Sequence, residues 1–230
     1  MSLKVLALLT FVQTSDPAAD LDKGRVAARA GDVKTAEVHL RRATQTFPTW
    51  GLAQIELAEV LLAQGPDTAG LPSALAAARS LEPHNPRAWR LTGLFHEQKN
   101  ELGQAIDAYR RAVEIRPDLL ECRERLGVLL AHEGRHKEAI PELAAVTSAR
   151  PSEWGLRATL AEAYEREGQL EPAEAELRAV ADGSGSPLFR RRLAQFYERT
   201  GQPKKAEAEY RRADAGRPEK KMRALPASKW

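Results

Sequence analysis

The chain has very little cysteine and few aromatic residues: one cysteine, Cys122, and 6% Phe, Trp and Tyr among 230 residues. A single cysteine excludes both an intramolecular disulfide and a cysteine metal cluster. No apolar run approaches the roughly 18 residues that can span a bilayer, and no run of alternating β-branched residues predicts a strand. With 43% hydrophobic and 29% charged residues, the composition indicates a folded protein in which helix is favoured over strand.

Positive charge is concentrated toward one end of the chain, although the net charge is only +3. Residues 183–230 contain 13 Lys and Arg against 5 Asp and Glu, while the rest of the chain contains 22 against 27. A basic end on a mildly acidic chain is a candidate surface for phosphates or for an acidic protein.

Residues 86–117, with the sequence PRAWRLTGLFHEQKNELGQAIDAYRRAVEIRP, predict two short helices folded back on each other. The stretch resembles a tetratricopeptide repeat, whose pattern is W-x2-L-G-x2-Y…A-x3-F…P. It departs from that pattern at Thr92, His96 and Asn100. The residues that match it are Trp89, Gly93, Ala105, Tyr109, Ala112 and Pro117.

The same unit recurs along the chain, because Pro48, Pro83, Pro117 and Pro151 are separated by 35, 34 and 34 residues. The resemblance implies an all-α fold, a right-handed α-solenoid of six helix-turn-helix repeats over residues 17–218. Residues 1–16 form a separate apolar segment, and residues 219–230 form a short basic tail. The predicted repeats are 17–50, 51–85, 86–119, 120–153, 154–186 and 187–218.

Small residues recur where the two helices of each repeat must approach closely. A bulky residue at such a site would push the helices apart and overpack the contact between them. Large packing residues are expected to lie opposite these sites. The small residues of the first helices are Gly24, Ala58, Gly93, Gly127, Ala161 and Ala194, and the large residues of the second helices are Leu40, Leu75, Tyr109, Leu143, Leu177 and Tyr210.

The connections within the repeats are marked by glycine, which ends a helix with a positive φ angle. Two segments differ from the others. Residues 65–72, GPDTAGLP, predict a longer and looser turn in repeat 2, and residues 181–187, ADGSGSP, predict a soft junction between repeats 5 and 6. The turn glycines are Gly31, Gly65, Gly134, Gly168 and Gly201.

Residues 1–16, MSLKVLALLTFVQTSD, leave two alternatives open. Lys4, the apolar residues 5–12 and the polar residues behind them resemble a short secretory signal. The other alternative is a short helix that covers the open end of the array. Asp20 and Lys23 offer such a cover little apolar surface, so we favour export across a bacterial-type inner membrane over a cytoplasmic location.

The sequence HEGRH, His132 to His136, fits the zinc-protease string H-E-x-x-H. That chemistry needs both histidines on one continuous helix, whereas Gly134 is predicted to be the turn between two helices. Cys122 has no neighbour that would activate it. With no nucleophile motif or phosphate loop either, we expect no enzyme activity, no metal and no cofactor.

The first helices of stacked repeats are expected to line a binding groove for a protein or peptide partner, which makes the chain a non-enzymatic scaffold or adaptor. Arginines in the groove would grip carboxylates and carbonyls, and the glutamates would set register by rejecting like charge. A merely solvated helix face is the alternative. The predicted groove residues are Arg25, Arg29, Glu56, Glu59, Arg87, Arg90, Glu121, Glu124, Arg125, Glu162, Arg166, Arg191, Arg192 and Arg199, together with Glu97, Glu165 and Gln195.

The basic end allows a second class of function, nucleic-acid binding. The aromatic residues there, Phe196, Tyr197 and Tyr210, fall at packing positions of the repeat and cannot act as stacking platforms for bases. We therefore favour a protein partner over nucleic acid. A homo-oligomer whose grooves serve only self-assembly is the remaining alternative.

Overall fold

The structure is a computed structural model, and it describes residues 16–215; residues 1–15 and the predicted basic tail lie outside this range. The described residues form twelve α-helices and no strand, which confirms the all-α prediction. None of these helices is long and apolar enough to cross a membrane. The helices are α1 Pro17–Arg29, α2 Val33–Thr46, α3 Gly51–Gln64, α4 Leu71–Leu81, α5 Pro86–Gln98, α6 Leu102–Ile115, α7 Leu120–His132, α8 His136–Ala149, α9 Trp154–Arg166, α10 Leu170–Ser184, α11 Pro187–Arg199 and α12 Pro203–Ala215.

Helix starts follow from local chemistry. Proline lies in the first turn of α1, α4, α5, α11 and α12, where its missing N–H costs no helical hydrogen bond. Polar side chains cap three helices: Asp16 accepts from the N–H of Ala18, Asp32 from Thr35 and Asn85 from Arg87, at 3.0–3.1 Å.

The described helices belong to two compact units that divide within α7, after Leu126. In the first unit each odd-numbered helix packs against the even-numbered helix that follows it, and α3 contacts α1, α2, α4 and α5. α3 is apolar nearly all round, as expected of a helix that neighbours cover on several sides. Leu40, Ile55, Leu61, Leu71 and Leu91 are almost fully buried in its core.

The second unit starts at Gly127 and is built in the same way. α9 packs on α8 and α10, and α11 packs on α10 and α12. Leu177, Leu193, Phe196 and Tyr197 are buried in its core, so two of the three aromatic residues of the basic end are unavailable to a ligand.

The close-approach sites behave as predicted. A Cβ added at Gly24 would lie 2.6 Å from Leu40, one at Gly93 would lie 2.6 Å from Tyr109, and one at Gly127 would lie 2.8 Å from Leu143. Real Cβ atoms do not approach other atoms this closely, so the opposing large side chain occupies the volume that glycine leaves empty.

The turn of repeat 2 is longer than the others, as predicted: six residues separate α3 from α4, whereas three separate α1 from α2. The guanidinium of Arg41 donates to the carbonyl of Ala69 at 2.7 Å, and the Thr68 hydroxyl donates to the carbonyl of Gly65 at 2.8 Å. The longer connection leaves α4 with 11 residues, so this helix is shorter than the others.

The predicted soft junction at residues 181–187 is wrong. α10 continues through Gly183 to Ser184 and ends at Gly185, whose φ is +62°. A Cβ on Gly183 would lie 2.4 Å from the Trp154 indole. Gly183 therefore serves a close packing contact inside a helix rather than a helix end.

Candidate protein-binding site

The predicted groove residues of the first unit form ion pairs with one another. Arg25 donates from Nε to Glu56 at 3.1 Å. Arg87 donates to both oxygens of Glu56, at 2.9 and 3.1 Å, and also to Glu59, which in turn accepts from Arg90 at 3.1 Å. We call this run of cross-repeat pairs the Arg–Glu ladder.

The ladder continues into α7. Arg90 reaches Glu121 at 3.5 Å, and Arg125 donates to Glu97 at 2.8 Å. Glu97 also accepts the Tyr109 hydroxyl at 2.8 Å, which ties the ladder to the packing contact at Gly93. Burial, together with the bond to Glu97, raises the pKa of Tyr109, so its hydroxyl stays protonated and donates.

The second unit has a ladder of its own. Arg192 donates to Glu162 at 2.7 Å, and Arg199 makes a two-pronged contact with Glu165 at 2.7 and 2.9 Å. Arg166 lies 3.8 Å from Glu162 on the same helix. All three arginines therefore have carboxylate partners within the unit.

Burial and pairing act in opposite directions on the ladder charges. Burial raises the pKa of Glu56, but the hydrogen bonds and charges of Arg87 and Arg25 outweigh it and hold that pKa below its ordinary value. Burial by itself would lower the pKa of Arg87. The hydrogen bonds to Glu56 and Glu59 and the charges of these two residues outweigh burial and raise that pKa. Both side chains are consequently charged at neutral pH, and each fixes the position of the other.

A cavity of about 360 Å³ opens beside the ladder of the first unit. We call it the first cavity. Apolar side chains from α1, α2 and α3 form part of its wall, and charged side chains surround them. The apolar lining is Ala28, Val33, Val60 and Ala63, and the charged lining is Arg25, Arg29, Glu56, Glu59 and Arg87.

Arg29 differs from the other arginines of the first cavity. It is exposed, and no carboxylate among the described residues pairs with it. Arg25 uses only its Nε on Glu56 and lies 4.0 Å from Asp22 through Nη1, so most of its donors are uncommitted. The first cavity therefore combines an apolar wall with two arginines that can still donate.

The second unit has a larger cavity, of about 530 Å³, with charged and polar walls. Glu162, Glu165, Arg166, Arg192 and Arg199 line it, together with Gln195. It lacks the apolar side chains of the first cavity, and its arginines are already paired.

The structure thus brings most of the predicted residues onto the ladders. Arg29 and Gln195 line the cavities without a ladder pair, and two further residues have other partners. Arg191 donates instead to Asp214 of α12 at 2.7 Å. Glu124 is half-buried and acts on Arg125 through its charge. The sequence interpretation missed the pairing of arginines with glutamates, although a signal was present: the partners lie 28 to 34 residues apart, close to one repeat length.

The HEGRH residues are separated by the turn at Gly134, as the sequence indicated. The His132 side chain is 71% exposed, whereas His136 is half-buried and its Nδ1 atom is enclosed. Across residues 16–215, no group of three or more His, Cys, Asp or Glu side chains is placed to hold a metal ion.

Many cations of the basic end are also paired. Arg190 contacts Asp182 and Glu209, Arg212 contacts Glu209, and Arg211 contacts Glu207, all within 3.2 Å. These pairs lower the positive charge that this end offers to phosphates, since each arginine already has a carboxylate beside it.

Comparison with known proteins agrees with the helix pairs. Family models described as "Tetratricopeptide repeat" match residues 55–119, 130–184 and 192–215. The chain belongs to the tetratricopeptide repeat family. Proteins of this family are generally non-enzymatic protein-interaction modules, and the fold is that of an interaction scaffold.

Several characterised proteins are similar to this chain. Peroxisome biogenesis protein 5 of Arabidopsis thaliana is 29% identical over 117 residues, which make up 46% of this chain but only 16% of that protein. A crystal structure of the MamA protein superposes with a TM-score of 0.63 at 20% identity, covering 72% of this chain and 90% of MamA. YrrB, described as a TPR protein with an unusual peptide-binding site, gives a TM-score of 0.66 at 19% identity, covering 79% and 93%. At these identities the two structures establish the fold alone.

Proposed function

We propose that the chain is a non-enzymatic scaffold that holds a segment of a partner protein against the first cavity. The observation that carries this proposal is the combination of an apolar wall with the two incompletely paired arginines, Arg25 and Arg29. The apolar wall favours aliphatic side chains, and the arginines favour acidic side chains or exposed carbonyls of the bound segment.

The Arg–Glu ladder supports this function by holding Arg25 and Arg87, two of the three arginines that line the first cavity, in place. Arg87 bridges Glu56 and Glu59, so its guanidinium does not have to be ordered when a partner binds. Removing that entropy cost improves affinity without adding contacts. The glutamates also repel a segment whose acidic groups are out of register, which matches the role expected from the sequence.

The test is capture of partners from a nuclease-treated extract of the native cells on the immobilised full chain. Wild type is compared with Arg29→Glu, which reverses the unpaired charge at the first cavity. The matched control is Arg42→Glu, because Arg42 is an exposed arginine of the same repeat that does not line the cavity.

A partner bound at the first cavity should be retained by wild type and by Arg42→Glu and lost with Arg29→Glu. Loss of one charge-assisted contact is worth about 1.5–3 kcal/mol, or roughly tenfold to more than a hundredfold in affinity. A purified partner that binds Arg29→Glu and Arg25→Gln as tightly as wild type would show that the first cavity is not the binding site.

A further inference from the structure

An apolar hollow of about 430 Å³ lies at the start of the described chain, apart from the ladders. Its walls are the first turn of α1 and the connection between α2 and α3: Pro17, Ala18, Phe47, Thr49 and Trp50. Phe47 is 50% exposed, an unusual position for a large aromatic side chain.

Phe47 of this hollow stands where three other repeats have charged residues. Phe47 follows the last residue of α2, and the matching residues after α4, α6 and α8 are Glu82, Arg116 and Arg150. The repeat architecture therefore does not require an apolar side chain here, and its presence calls for a contact outside the repeat.

Trp50 is the second aromatic residue of the hollow. It precedes α3, whereas Asn85, Leu119, Glu153 and Ser186 precede α5, α7, α9 and α11. Phe47 and Trp50 belong to one connection, and both side chains line the same hollow. An exposed phenylalanine at a position that is charged in three other repeats, beside a second aromatic side chain, indicates that something apolar covers this surface.

We propose that residues 5–12 of the same chain, VLALLTFV, bind this hollow. Seven of these eight residues are apolar. Residue 12 precedes Pro17 by five positions, and five extended residues reach at most about 17 Å, so the run is tethered directly beside the surface. A short tether raises the effective concentration of a segment into the millimolar range, an advantage that a separate partner does not have.

α1 itself offers little apolar surface to which residues 5–12 could bind. Asp20 faces His39 at 2.7 Å and is buried, so α1 offers no apolar stripe at that point. The hollow at the α2–α3 connection provides the apolar surface instead. Coverage by residues 5–12 and removal of residues 1–16 as an export signal exclude each other in the mature protein.

Cysteine cross-linking in the full chain tests the proposal. Leu8→Cys is combined with Thr49→Cys, and formation of an intrachain disulfide under mild oxidation is followed at low protein concentration. The matched control combines Leu8→Cys with Ser73→Cys, an exposed position at the opposite end of the α3–α4 pair. The natural Cys122 does not interfere, because it is fully buried and burial raises the pKa of its thiol to about 11.

The expected result is an intrachain disulfide that forms about tenfold faster with Thr49→Cys than with Ser73→Cys, since a disulfide needs Cα atoms within about 7 Å. Adding Phe47→Asp should reduce the rate to that of the control. Equal rates for the two pairs would overturn the proposal, as would disulfides only between two chains. So would N-terminal sequencing of the native protein that starts after residue 12.

Discussion

Replacing Gly93 by alanine is expected to destabilise the protein, although alanine is the better helix former. The new Cβ would lie 2.6, 2.7 and 2.8 Å from three atoms of the Tyr109 ring. The ring is 1% exposed and its hydroxyl is bound to Glu97 at 2.8 Å, so it cannot turn aside without breaking that bond. The helices must separate, or the ring must leave its site.

The change in the free energy of unfolding that Gly93→Ala causes is the sum of opposing effects. Overpacking of a close contact costs about 1–3 kcal/mol, and a strained Tyr–Glu hydrogen bond adds about 1 kcal/mol. The gain from replacing glycine within a helix is about 0.5–1 kcal/mol. The net loss is about 1–3 kcal/mol, or roughly 2–4 °C in Tm for each kcal/mol in a chain of this size.

Urea and thermal unfolding of the full chain, followed by far-ultraviolet circular dichroism, measure this loss. The control is Gly103→Ala in α6, where an added Cβ meets no atom within 4 Å and stability should stay equal or rise. Gly93→Ala combined with Tyr109→Leu should recover part of the loss, because repeats 2 and 5 already pair Ala58 with Leu75 and Ala161 with Leu177. If Gly93→Ala is as stable as Gly103→Ala, the proposed steric contact is wrong.

Two further predictions concern titratable groups. The pKa of Glu56 is lower in the folded than in the unfolded protein, so its contribution is complete above the unfolded pKa and is lost as pH falls through the folded one. The free energy of unfolding of wild type should therefore exceed that of Glu56→Gln by about 1.5–3 kcal/mol at pH 7. If denaturant titrations show that this difference does not become smaller toward pH 3, the reasoning is wrong. Because burial raises the pKa of the Cys122 thiol to about 11, a thiol reagent at pH 8 should modify it only after unfolding, and rapid modification of the native protein would contradict its buried position.

The helix pairs and their close contacts could be predicted because they repeat. Gly24, Gly93 and Gly127 recur at one position of the repeat, and the large residue opposite recurs with them, so each repeat confirms the others. Gly183 could not be recognised in this way. Its partner Trp154 lies at the far end of the preceding helix, and the neighbouring glycine suggested a helix end.

The helices that carry the candidate-site residues were predicted, but the ion pairs among those residues were not. The arginines and glutamates lie on the first helices as expected, but the sequence treats each as available to a ligand. Pairing depends on which side chains face each other across repeats, and a list of positions does not contain that information. The hollow beside Phe47 and Trp50 was missed for a similar reason, because its walls come from α1 and from a connection about 30 residues later.

The ladder also means that the repeats are not interchangeable. Glu56 and Glu59 of repeat 2 depend on Arg87 and Arg90 of repeat 3. If repeat 5 were inserted in place of repeat 3, Gly155 and Ala158 would stand at those two positions, and the carboxylates would lose most of their counter-charge. The order of repeats in a chimaera is thus encoded in part in its polar side chains.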